Sequence, residues 1–97
     1  VHIIPERIVK DPDDVKDYRW NFAAWLAEGE TITEKQILID DASGDPITFS
    51  NLINTDTDVT VRLSGGTAET SARVTCRITT STGQVADATP VFDVREL

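Results

Sequence analysis

Little in this chain could do chemistry. It has one cysteine, one histidine and no methionine, and each shortage removes a class of function. A single cysteine makes no intrachain disulfide, and Cys76 sits inside an alternating run, where it reads as a small buried hydrophobe. The lone histidine, His2, has no second histidine or nearby cysteine at ligand spacing, which argues against a metal site. Ser64, Ser71 and Ser81 are therefore left without a base, and no catalytic residue can be named. No apolar run approaches the roughly 20 residues of a membrane-spanning helix. The opening VHIIPERIVK also lacks the continuous apolar core of a secretory signal. Basic residues are scarce: nine Lys and Arg stand against 17 Asp and Glu, a formal charge of −8. That balance repels nucleic acid and anionic membrane. Gly65 and Gly66 lead into a strand rather than opening a helix with Gly-Lys-Ser/Thr, so they form no phosphate loop, and no cofactor is expected.

What the chain does have is period-two alternation. Val59, Val61 and Leu63 alternate with Thr60 and Arg62; after the glycine pair, Val74, Cys76 and Ile78 alternate with Arg73, Thr75, Arg77 and Thr79. Tyr18, Trp20 and Phe22 share one side of an earlier run, TITEKQILI and PITFSNLI are further strand candidates, and VFDVREL is the last. Asn21 can cap one short helical turn over FAAWLA, ended near Gly29. About seven short strands in one domain of 97 residues point to an all-β fold, an antiparallel β-sandwich of immunoglobulin type. Gly65 and Gly66 fit a corner at positive φ where the chain leaves one sheet for the other. Residues 1–10 show no such period and read as an extended arm, with the domain proper at 11–97.

Two features are candidates for contact. Arg62, Arg73, Arg77 and Arg95 are the basic residues of the second half, and alternation is expected to place at least three on one outer face, as a stripe facing an acidic neighbour. Ile3, Ile4, Ile8 and Val9 give the arm an apolar surface for a partner to cover. The acidic clusters DPDD and Asp56-Thr57-Asp58 resemble some calcium loops but lack the EF-hand glycine and closing glutamate.

The segments KDPDDVKDY, WLAEGETI and TDTDVTVRLSGGTAETSARVTCRITTSTGQ, in that order, resemble a family of small proteins encoded in the structural-gene cassette of tailed bacteriophages, described as fiber-tail adaptor or minor virion proteins. The resemblance runs from Lys10 to Glu96. It implies an immunoglobulin-like sandwich in the virion, made in the host bacterial cytoplasm, with no catalytic residues. Its expected role is a noncatalytic adaptor joining tail and fiber or other virion components. The expected partners are tail, fiber, neck or capsid proteins, in a symmetric multi-copy assembly, with neither nucleic acid nor membrane. The alternatives are a head decoration or a glycan-binding module at the host surface.

Overall fold

The computed structural model of the chain describes residues 7–96. Eight strands run in order: β1 (Arg7–Lys10), β2 (Lys16–Asn21), β3 (Ile32–Asp40), β4 (Thr48–Asn54), β5 (Asp58–Ser64), β6 (Thr70–Thr80), β7 (Val85–Ala88) and β8 (Val91–Val94). One sheet has the order β2-β5-β4, the other β1-β8-β6-β3, with β7 also paired to β6. Lettered as in immunoglobulin domains, this is B-E-D facing C-F-G, with the first strand added beside G. The fold is an all-β sandwich.

Hydrophobic alternation explains the two layers. A strand that buries every second side chain has one apolar face, and two such sheets bury theirs against each other. Trp20, Phe22, Val59, Val61, Leu63, Val74, Cys76, Ile78, Phe92 and Val94 are fully buried in the shared core. Tyr18 of β2 is partly buried and sets its ring edge-on to Phe92 of the opposite sheet, centroids 5.1 Å apart at 85°.

The glycine corner between β5 and β6 turns the chain from one sheet to the other. Gly65 and Gly66 have φ of 80° and 105°. A Cβ on Gly66 would stand 3.0 Å from a methyl of Val94, and one on Gly65 would stand 3.0 Å from the carbonyl oxygen of Pro46. Both backbone conformation and space therefore require glycine.

One expectation holds and two need correction. The run after Asn21 makes the single hydrogen-bonded turn expected of it, with the N–H of Leu26 donating to Phe22 at 3.0 Å, and no longer helix forms among the described residues. Asn21 does cap it, accepting from the N–H of Ala23 at 2.9 Å. The sandwich is not wholly antiparallel, because β1 lies parallel to β8, from Arg7 opposite Val91 to Lys10 opposite Val94. And residues 7–10, expected in a free arm, belong to this sheet. Four residues show too little period to be read, yet Ile8 packs on the core and Lys10 is fully buried. The rest of the expected arm, with His2, Ile3 and Ile4, lies outside the described residues. The C-terminal region divides at Pro90, which has no N–H to give a ladder, so β7 and β8 pair with successive parts of β6.

Candidate functional site

The four arginines do not form one stripe. Arg62 points outward from β5 and Arg73 and Arg77 point outward from β6, but the glycine corner puts these strands in opposite sheets, so the side chains leave from opposite sides of the sandwich. Arg95 follows β8 and is exposed. Two of them are engaged within the chain. Arg77 forms a bidentate pair with Asp87 at 2.8 and 2.9 Å, and Arg62 reaches Asp17 at 3.0 and 3.4 Å. The Arg77 hydrogen bonds hold the Asp87 carboxyl below its ordinary pKa. Arg73 makes no ion pair among the described residues. It flanks, with Arg7, a depression of ≈ 370 Å³ on the outer face of the larger sheet.

The arm residues that are described divide as well. Ile8 faces the core, whereas Val9 is 49% exposed on the outer side of β1. What fastens β1 is polar. Arg7 pairs with Asp93 at 2.6 Å, and Asp93 also accepts from the Ser71 hydroxyl at 2.9 Å. These two hydrogen bonds, that from Arg7 the stronger, lower the Asp93 pKa. Lys10 donates its ammonium to the carbonyls of Gly65, at 2.6 Å, and Asp11, at 3.0 Å. Burial lowers the Lys10 pKa, and the nearby carboxylates of Asp14, Asp11 and Asp13 act in the opposite direction. Nothing in the sequence marks Lys10 as different from the exposed lysines. Glu30 is a second buried ionic group that pattern reading passes over. It accepts from the hydroxyls of Thr80, at 2.6 Å, and Thr82, and from the N–H of Ala27 at 3.0 Å. The threonine hydroxyls, Thr80 first, lower its pKa.

The chemically suggestive side chains have structural work. Ser64 pairs with Thr48 at 3.0 Å, Ser71 serves Asp93, and the Ser81 hydroxyl accepts from the N–H of Thr31 at 3.1 Å. Burial pushes the Cys76 thiol up to about 12, far from the thiolate a nucleophile needs. Of the acidic clusters, Asp11 and Asp13 come together with Glu96, their oxygens within 4.8 Å of one another. Asp56 and Asp58 join no such group among the described residues; Asp58 instead faces Arg19 at 3.6 Å.

β4 is irregular and sits at one of the two edges of the smaller sheet. Its register with β5 runs Phe49 opposite Leu63 and Ser50 opposite Arg62, then slips so that Ile53 lies opposite Thr60. One extra residue is accommodated at Asn51, whose φ is 52°. Because Leu63 faces the core and Thr60 faces out, the bulge turns Ile53 to the solvent side and leaves Leu52 packed on the core. Ile53 is 62% exposed and Phe49 46%. The surface sites that the structure offers are thus edges and shallow faces in an all-β scaffold, of the kind another protein can cover.

Comparison with protein families decides what such a scaffold serves. The model of the podophage GP4 fiber-tail adaptor protein gp77 matches residues 10–92. The chain belongs to this fiber-tail adaptor family. No curated protein matches it. Membership makes the chain a structural component of a bacteriophage particle, one that contacts other phage proteins, and it agrees with the resemblance carried by the KDPDD, glycine-corner and RITTSTGQ segments.

Proposed function

We propose that the protein is a noncatalytic connector in the tail of the particle, joining the tail body to the fiber. The family match over residues 10–92 carries this reading. Two structural facts support it. Ser64, Ser71 and Ser81 are engaged in hydrogen bonds and Cys76 is packed in the core, and of the large exposed apolar residues Val9, Phe49, Ile53 and Val85 stand on strands, with Val15 just before β2. Strands are suited to joining proteins, because they contribute backbone hydrogen bonds as well as side-chain contacts. Several identical copies around the tail axis would let one small domain present the same contact to each fiber.

Quantitative mass spectrometry of purified particles, combined with co-purification of the tagged chain with separately expressed tail and fiber proteins, tests the proposal. A copy number in simple ratio to the fibers, and capture of both tail and fiber proteins, is the expected result. A copy number matching capsid positions would make the chain a head decoration instead. Absence from the particle would end the connector reading altogether.

A further inference from the structure

We propose that the free edge of β4 accepts an extended segment of another protein of the particle as an added strand, one with alternating apolar residues in its middle and lysine or arginine at its ends. Three observations lead there. The first is charge. The strand TFSNLIN has no charged residue, whereas the edge strands β1, β2, β3 and β7 each carry at least one. Natural sheet edges are commonly protected by charges, inward-pointing lysines and bulges, because unpaired N–H and C=O groups recruit other strands. β3 has these devices: Lys35 lies opposite the buried Ile78, on the inner side of the edge, and the register shifts between Ile32 and Glu34. β4 has a bulge but no charge.

The second observation is what that bulge does. Strict alternation from Phe49 would turn Ile53 inward; the extra residue at Asn51 reverses this and sets an isoleucine on the solvent face. Bulges re-aim side chains, and here the re-aimed one is apolar and faces water. Ile53 and Asn51 share a shallow depression on the outer face with Thr60, Arg62 and Asp17, which lies toward β5 and β2 and away from the free edge. The free ladder of β4 is on its other side, and a strand added there would continue the β2-β5-β4 sheet.

The third observation selects the occupant. From Asp40 to Val61 the chain has five aspartates and no lysine, arginine or histidine. Asp45 precedes β4 and Asp56 follows it, both exposed. A strand laid along this edge therefore meets an uncharged surface carrying Phe49 and Ile53 in its middle and carboxylates at both ends. Basic ends and an apolar middle complement that arrangement. A second copy of this chain would bring its own net charge of −8 to the contact. The inference rests on the connector reading only for the source of the segment; the edge itself can be tested on the isolated chain.

The probe is a synthetic peptide, Lys-Lys-Thr-Val-Thr-Ile-Thr-Lys-Lys, titrated into the isotopically labelled full chain while amide shifts and hydrogen exchange are followed by NMR. The expected result is saturable binding with exchange protection gained by amides of residues 48–54. Ile53→Lys should weaken it at least tenfold, and Val85→Lys, at the other sheet's equally exposed β7, should leave it unchanged. The same peptide with glutamates in place of its four lysines should not bind. Four results would overturn the proposal: no binding at millimolar peptide, equal binding of the acidic peptide, protection appearing at β1, β2 or β3, or pairing of β4 with a second copy of the chain. The charge-reversed peptide decides the matter even if a variant folds poorly, and none of these outcomes depends on where the chain sits in the particle.

Discussion

β6 and β4 show two ways in which a strand can use its sequence. β6 alternates without fault over 11 residues, buries Ala72, Val74, Cys76 and Ile78, and is paired on both sides, by β3 and by β7 and β8. β4 is seven residues long, is paired on one side, and breaks its alternation at Asn51. The first is held in register from both sides and by its whole inner face. The second gives up an apolar side chain to solvent and keeps a free ladder. Stability and contact surface are thus assigned to different strands. A small domain can afford little else, since it buries only about two-thirds of its extended surface.

Mutations should separate the two regions by size of effect. The largest is expected at the core that β6 helps to form: Trp20→Ala, which empties a fully buried site, should cost about 3 to 5 kcal/mol in denaturant unfolding. Next comes the corner leading into β6. Gly66→Val meets both a φ of 105° and the Val94 methyls, and should destabilise by about 2 kcal/mol or more. Lys10→Ala removes two charge-assisted bonds and the tie between β1 and the corner, and should cost about 1.5 to 3 kcal/mol. At the small end, Ile53→Thr should change stability by less than about 0.5 kcal/mol, because the side chain is mostly exposed. A large effect there would mean that β4 belongs to the scaffold after all, and the contrast with β6 would fail.

pH sharpens the same contrast. Glu30, Asp87 and Asp93 have lowered pKa values in the folded chain, through bonds from Thr80, Arg77 and Arg7 respectively. The folded state therefore holds these protons less tightly than the unfolded one. Their stabilisation is complete above the ordinary carboxylate range near pH 4 and is lost as pH falls through the lowered folded values. Thermal melts should accordingly drop on acidification below about pH 4. All three carboxylates lie on or beside the larger sheet, so exchange protection should fall at β1, β6 and β8 before it falls at β5.

The legibility of the sequence follows the same division. β5 and β6 could be read residue by residue because each inward position is apolar and each outward one polar, and the glycine corner could be read because only glycine enters positive φ freely. Tyr18, Trp20 and Phe22 were legible as one face for the same reason. β1 was not, because four residues beside a proline-containing segment hold less than one unambiguous period, and its anchor is a lysine, a residue type that normally signals exposure. The arginines were read as alternating correctly but were wrongly grouped: period two gives a side of the strand, and only the passage between sheets tells which way that side points. The bulge at Asn51 was illegible because PITFSNLI looks the same with Ile53 in or out; the choice depends on how β4 registers against β5 in their hairpin, where Ile53 lies opposite Thr60. So the scaffold was visible in the alternation of single strands, whereas the candidate contact edge depends on the register between two of them.

The connector role is tested most directly by a reconstruction of the intact particle at side-chain resolution. The expected result is density for this sandwich between tail body and fiber, with protein contacts on both sides of it. Finding the chain on the capsid surface, or finding no density for it in the tail, would contradict the connector role.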